Sequence, residues 1–281
     1  MIKIIRIKSP AKVNLFLEVL GKRPDGYHEL NTIMQEISLC DTIEIKEQSS
    51  GITIQTNHPD LAGGKSNLIY KAADLFKKHY RINKGVHIKL TKKIPIGGGL
   101  GGGSSNAAYT LKGLNQLWDM KLSEAELSML AAKLGSDVPF FIYGKTALCK
   151  GRGEIVFSMS KPPKFHYIVI FPGFDVPTIK IYKKLKNRLT KPVKYSSIPS
   201  VGCQLSLFNR LEKTAFDLYP KLKELKKVIA ACGLKHVMMS GSGSCLFGIL
   251  NSRREANKIT ERIFKRTSLE PRNIFLVKSI E

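Results

Sequence analysis

Val13, Leu15, Leu17 and Val19 alternate with Asn14, Phe16 and Glu18, the period of two that marks a β-strand. TIEIKEQ and GITIQT repeat that alternation and read as two further strands, joined across Ser49, Ser50 and Gly51. The period then changes. In SNLIYKAADLFKKHY, apolar residues at positions 68, 69, 72, 75 and 76 follow helical spacing behind a Ser66 N-cap. GVHIKLTKKIPI returns to a strand that runs into a block of glycines, and SSNAAYTLKGLNQLW reads as a helix from near Ser104. SEAELSMLAAKLG predicts a helix with a Ser123/Glu126 capping box and a stop at Gly135.

After GKTALCKGRGEIV comes SMSKPPK, the best candidate for a boundary. Beyond it the pattern predicts a strand in HYIVIF, a helix in PKLKELKKVIAACG and a strand in HVMMSGSGSCLFGIL. A helix in REANKITERIFK and a last strand in NIFLVKS complete it. Strands and helices that do not alternate regularly point to an α+β fold. Two domains are expected, 1–158 and 159–281.

Composition narrows the setting. The apolar runs VPFFIY and YIVIF fall far short of the roughly 18 residues a membrane span needs. The basic start MIKIIRIKSPAKVNLFLEVLGK is broken by Asn14 and Glu18 where a signal core would lie. Cys40, Cys149, Cys203, Cys232 and Cys245 show no CxxC pattern and no companion histidines. Reduced thiols in a cytoplasm are expected. His58, His79, His87, His166 and His236 likewise show no ligand spacing.

The chain of 281 residues carries 46 Lys and Arg against 22 Asp and Glu, a formal net charge of +24. The basic residues are spread throughout, with one dense segment from Lys180 to Lys194 and no RNP-type aromatic motif or zinc finger. That distribution favours a solvated basic surface over a nucleic-acid site, and its field would also draw in phosphorylated small molecules.

PIGGGLGGGSSNAA, from Pro95 to Ala108, holds six glycines in the seven residues from Gly97 to Gly103. Gly97-x-Gly99-x-x-Gly102 matches the dinucleotide pattern formally. No acidic residue follows at the end of the next strand, since Asp119 lies between two helices. No Gly-Lys-Ser/Thr closes a Walker loop either. What survives is the shared physics. Glycines let successive N–H groups form an anion-binding concavity, and the following helix adds its positive end. Pro95, Ile96, Gly97, Gly98, Gly99, Leu100, Gly101, Gly102, Gly103, Ser104 and Ser105 therefore form the candidate polyphosphate site. The two serines offer hydroxyls to phosphate or a metal ion.

This loop resembles the phosphate-binding loop of the GHMP kinases, the family of galactokinase, homoserine kinase, mevalonate kinase and phosphomevalonate kinase. SPAKVNLFLEVLGKRPDGYHEL resembles the family's N-terminal motif and HVMMSGSGSCLFGIL its C-terminal glycine-rich motif. PAKVNLFL, RPDGYHEL and LGSDVPFF are similar to the branch acting on a cytidine diphosphate conjugate of methylerythritol. The resemblance implies an N-terminal domain like domain 2 of ribosomal protein S5 and a C-terminal ferredoxin-like α/β sandwich. It also implies ATP and Mg2+ as cofactors, and transfer of a phosphoryl group to the 2-hydroxyl of that conjugate in non-mevalonate isoprenoid synthesis.

The resemblance makes Lys12 and Asp137 the catalytic pair, Asp137 taking the hydroxyl proton beside the Lys12 charge. It gives Asn14, Tyr27, His28, Thr178 and Tyr182 to the substrate, the two tyrosines stacking on the two sides of the pyrimidine. Gly241, Ser242 and Gly243 form the second glycine-rich segment. Read without it, Lys12 is a strand lysine about 7 Å along the same face from Asn14. Ser136 or Asp137 is then a helix cap before Pro139, and Tyr27 and His28 are turn residues after Pro24-Asp25-Gly26. SGSGS could serve a close backbone approach or a tight turn. Asn67 and Lys92 lie near these motifs. Another GHMP kinase acting on a different alcohol, or a basic nucleic-acid-binding protein, are the alternatives.

Overall fold

A computed structural model describes residues 3–59, 61, 64–185 and 207–281. In the first half, β1 (Ile4–Lys22) and β2 (His28–Gln48) are long strands, followed by β3 (Ile52–Thr56), α1 (Leu68–His79) and β4 (Gly85–Thr91). Three helices come next, α2 (Gly102–Leu117), α3 (Glu124–Ala132) and α4 (Val138–Tyr143), then the hairpin β5 (Thr146–Gly151) and β6 (Ile155–Ser158). The second half holds β7 (His166–Ile170), α5 (Thr178–Leu185), β8 (Phe208–Asn209), α6 (Arg210–Leu218) and α7 (Pro220–Ala231). It ends with β9 (Lys235–Met239), β10 (Leu246–Leu250), α8 (Arg253–Arg266) and β11 (Ile274–Lys278).

Two sheets result. The first runs β3-β4-β2-β1-β8, with β5 also paired to β2 and β6 to β5; the second runs β11-β7-β10-β9. This is a mixed α+β architecture of the two-part kind expected. TIEIKEQ and GITIQT both form strand, but they are not partners. β4 pairs antiparallel with β2 and parallel with β3, and so lies between them.

β1 explains why the halves stay together. Ala11, Val13 and Leu15 pack with Tyr167, Val169 and Phe247 of the second sheet. The helices cover the first sheet's other side, where Ile43, Ile45 and Ile88 meet Leu111, Leu114 and Phe76. Every residue from Ser9 to Val19 is consequently buried, although alternation alone describes a half-exposed strand. Phe16, in the polar phase of the pattern, is the sequence trace of this double covering. β8, from the second half, adds to the first sheet by pairing parallel with Phe16 and Leu17 of β1.

Several predicted ends move. Asn67, not Ser66, caps α1, its side chain accepting from the Ile69 N–H at 2.9 Å. α2 begins at Gly102 rather than Ser104, because the left-handed turn at Gly101 (φ 69°) ends the loop two residues earlier. HVMMSGSGSCLFGIL is not one strand but the hairpin β9–β10, its turn containing Gly241 (φ 55°) and Gly243 (φ 92°). The Ser123/Glu126 capping box is present in full, and the Gly135 N–H closes the end of α3 on the Ala131 carbonyl. Cys40, Cys149, Cys232 and Cys245 are free thiols. Cys203 and positions 186–194 of the dense basic segment lie outside the described residues. No helix among the described residues is long and apolar enough to cross a membrane.

Candidate active site

The glycine loop is a tight turn pinned by three hydrogen bonds. Gly97, Gly99 and Gly101 alternate at φ 69°, 74° and 69°, values that L side chains adopt only under strain. The Lys12 N–H donates to the Leu100 carbonyl at 2.9 Å, and the Cys245 N–H donates to the Gly98 carbonyl at 3.0 Å. The Ser240 hydroxyl donates to the Gly99 carbonyl at 3.0 Å. A Cβ on Gly99 would lie 2.2 Å from the Ser240 carbonyl oxygen, and one on Gly98 would lie 2.6 Å from Cys245 Sγ. The expectation that these glycines all make room for a polyphosphate is therefore narrowed. Gly98 and Gly99 are required where the second glycine-rich segment presses on the first. That segment is both things left open above, a tight turn and a close backbone approach.

The face of the loop away from this contact is open. α2 has neither a side-chain cap nor an acidic residue in its first turn, so its leading N–H groups and positive end are unspent. A cavity of about 400 Å³ lies against them, lined by the loop from Pro95 to Ser104 and by Asn67, Leu68 and Lys92. Ser105 does not face it. Its hydroxyl is buried against Ser9 at 2.7 Å.

Beneath the loop lies a polar network that the sequence reading missed. Asp41, fully buried, accepts from the Lys93 and Ile94 N–H groups at 2.7 and 2.9 Å. It also accepts from Lys92 Nζ at 2.5 Å and Asn106 Nδ2 at 2.9 Å, and Asn106 Nδ2 reaches Ser9 Oγ at 2.9 Å. Burial lowers the Lys92 pKa despite the Asp41 carboxylate. A Cβ on Gly102 would sit 3.1 Å from Lys92 Nζ. The Lys92 cation thus stands at the positive end of α2, a position that favours anions.

Lys12 and Asn14 point away from the second sheet, as the alternation predicts, yet they are 3% and 2% exposed. Lys12 Nζ donates to Asn14 Oδ1 at 2.6 Å and lies 3.5 Å from Asp137 Oδ2. Asn14 Nδ2 donates to Thr32 Oγ1 at 2.9 Å, which in turn donates to the Phe16 carbonyl at 2.6 Å. Asp137 sits at the N-cap position of α4 but makes no capping hydrogen bond, so the cap reading fails and its carboxylate is left facing Lys12. Both glycine segments close on the same lysine. A Cβ on Gly101 would be 3.1 Å from Lys12 Cε, and one on Gly241 would be 3.4 Å from Nζ.

From this pair a cleft of about 730 Å³ extends to Tyr27, His28 and Tyr182. The His28 and Tyr182 rings lie 5.0 Å apart at 35°, so Tyr182 packs on His28. His28 Nε2 is buried with no hydrogen-bond partner among the described residues. Burial and the nearby Lys22 charge push its pKa down, which favours the neutral ring. Tyr27 stands at the rim, 52% exposed, under the Arg152 guanidinium at 4.7 Å from its ring centroid. Thr178 lines the cleft and pairs its hydroxyl with Ser242 at 2.7 Å. Gly241 and Ser242 line it too, whereas Gly243 supports the turn behind. Among the described residues, Lys12, Lys22, Arg152 and Lys183 line this cleft with Asp137 as its one carboxylate, an arrangement suited to a substrate with several negative charges. Among the described residues no three His, Cys, Asp or Glu side chains gather as a metal cage.

Residues 67–145 match the model of the GHMP kinases N terminal domain and residues 197–267 that of the GHMP kinases C terminal. The 4-diphosphocytidyl-2-C-methyl-D-erythritol kinase of Shouchella clausii is 40% identical over 262 residues, 90% of this chain and 88% of the relative. That of Bacillus subtilis is 39% identical, covering 90% of each. A crystal structure of 4-(cytidine 5'-diphospho)-2C-methyl-D-erythritol kinase superposes with a TM-score of 0.80 at 35% identity, over 99% of this chain and 100% of that one. Homoserine kinase from Cytophaga hutchinsonii, at 20% identity and a TM-score of 0.73 over 99% and 94% of the two chains, shares the fold. With both glycine segments meeting over Lys12 and its sequence matched along nearly its whole length, the chain belongs to the GHMP kinase family, in the branch of the 4-diphosphocytidyl-2-C-methyl-D-erythritol kinases.

Proposed function

We propose that this chain transfers the γ-phosphoryl group of ATP to the 2-hydroxyl of 4-diphosphocytidyl-2-C-methyl-D-erythritol. The observation that carries the reading is the approach of Lys12 to Asp137, 3.5 Å, at the point where the glycine loop meets a cleft ending in His28 and Tyr182. The substrate's cytosine belongs at that aromatic end, where the buried His28 Nε2 lacks a partner. Its diphosphate belongs beside the cleft lysines Lys12, Lys22 and Lys183, and the methylerythritol hydroxyl at Asp137.

Asp137 accepts the hydroxyl proton as the oxygen attacks phosphorus. Lys12, held by Asn14, offsets the negative charge that passes between the two oxygens. The loop N–H groups and the start of α2 hold the triphosphate, and Asn67, Leu68 and Lys92 line the space for the rest of the nucleotide. Phosphoryl transfer depends mainly on such positioning and electrostatics, so no covalent intermediate is required. Magnesium, which neutralises charge between phosphate oxygens, would be carried chiefly by the triphosphate, with Ser104 adding a hydroxyl from the loop. The division into 1–158 and 159–281 goes with this reading, the second part lending Thr178, Tyr182, Gly241 and Ser242 to the cleft. The free thiols fit work in the cytoplasm.

A coupled ATP assay tests the reading with the cytidine-linked substrate beside mevalonate and homoserine. Turnover confined to the cytidine conjugate is expected. Equal turnover of the other alcohols would overturn the choice of substrate.

A further inference from the structure

The β5–β6 turn, KGRGE, has no part in the family motifs above, yet its Arg152 lines the cleft. Gly151 (φ 70°) and Gly153 (φ 121°) bend the chain on both sides of Arg152. The turn is tied down at three points. The Gly151 N–H donates to Glu29 Oε1 at 3.2 Å, the Arg152 N–H to Glu154 Oε2 at 2.6 Å, and the Gly153 N–H to the Lys150 carbonyl at 3.0 Å. A Cβ on Gly153 would lie 3.4 Å from Asp137 Oδ1, so one end of this turn abuts the carboxylate. The other end places the Arg152 guanidinium over Tyr27. Tyr27 is itself held at the backbone, its N–H donating to Asp25 Oδ1 at 3.1 Å and its carbonyl accepting from the Arg23 N–H at 2.8 Å.

We propose that Arg152 is a positioning residue for pyrimidine recognition, fixing the exposed Tyr27 ring as a stacking surface by lying across one of its faces. This rests on the substrate reading above. A half-exposed tyrosine at a cleft rim has rotamer freedom that a stacked base must remove on binding. A guanidinium on the ring reduces that freedom in advance, and its charge draws on the electron-rich face of the ring. The second face is left for the base, so cation, phenol and pyrimidine form three layers. Arg152 then acts on cytidine through Tyr27. Its effect is absent once Tyr27 is gone, and it does not depend on how many phosphates the ligand carries.

The test is a double-mutant cycle on the full chain, reading steady-state constants together with the dissociation constants of cytidine, CMP and CDP by titration calorimetry. Arg152→Gln should weaken all three ligands by the same factor, about two- to fivefold. KM for the cytidine conjugate should rise to match, with kcat and KM for ATP unchanged. Arg152→Lys should recover part of the loss, and Arg152→Gln added to Tyr27→Ala should cost nothing further. A loss seen for CDP but not for cytidine would overturn the proposal, because Arg152 would then be a phosphate contact. So would an undiminished Arg152 effect in the Tyr27→Ala background. A wild-type chain that binds no cytidine ligand would instead overturn the substrate reading, and the proposal with it.

Discussion

Lys12 Nζ stands 3.5 Å from Asp137 Oδ2, but the two side chains differ in access, 4% exposed for the lysine and 33% for the aspartate. The cation is sealed beneath the glycine segments while the carboxylate opens on the cleft. This asymmetry suits a fixed charge beside a group that must meet a hydroxyl. Asp137→Asn keeps the shape and removes the base. Its kcat should fall by about 10²–10⁴-fold, with the ATP dissociation constant nearly unchanged. A single-turnover assay beside nucleotide titration reads both, and normal turnover would refute the assignment of the base.

The glycine loop separates residues needed by the fold from residues needed by the ligand. Gly99 has φ 74° and no space for a Cβ, so Gly99→Ala should lower Tm and the yield of folded chain whether or not ATP is present. Gly103 has no positive φ, and its nearest neighbour to a Cβ is Leu68 Cδ1 at 3.5 Å. Gly103→Ala should therefore raise stability by about 0.5–1 kcal/mol, as alanine does within a helix. If the triphosphate lies against α2, the same methyl should also raise KM for ATP. Thermal melts with and without nucleotide measure both effects. Unchanged ATP affinity in Gly103→Ala would place the phosphates elsewhere.

Glu36 gives a pH dependence with a definite sign. It is 2% exposed, and its carboxylate accepts the Lys145 N–H at 2.7 Å and the Tyr109 hydroxyl at 3.3 Å, with Lys112 close enough to favour its charge. Burial outweighs all three and raises its pKa above the ordinary 4.5. The folded chain holds this proton more tightly than the unfolded one. Its contribution to stability is thus full below the unfolded pKa and lost as pH rises through the folded value. Glu36→Gln removes that dependence, so its Tm relative to wild type should climb as pH rises above the ordinary 4.5 of a glutamate. A constant difference across that range would show that Glu36 titrates as it does in the unfolded chain.

What was legible in the chain was whatever depends on neighbours in sequence. The alternation in β1, the capping box at Ser123 and the loop running into α2 are local, and so is the opposite facing of Lys12 and Val13. What was not legible depends on distant partners. Asp41 sits in a strand pattern like any edge carboxylate. Its burial follows from Lys92 and Asn106, which β4 and α2 bring to it. Tyr182 was matched to the far side of a base, but its contact with His28 arises only when α5 folds against β2. Arg152 lies between two glycines, and nothing near it in sequence points to Tyr27. Ser105 beside Ser104 looked equivalent to it, and helical rotation sends the two hydroxyls in different directions.

β8 bears on how the cleft can open. This two-residue strand hydrogen-bonds to β1 beside Leu17, and Arg210 immediately after it grips the buried Glu18 through Nε and Nη2, both at 2.7 Å. Swinging the halves apart like a clamshell would strip a strand from the first sheet and leave a carboxylate without its counter-ion in an apolar interior. Parting of the two halves is thus resisted at the floor of the cleft itself, by the β8 pairing at Leu17 and the Arg210 grip on Glu18.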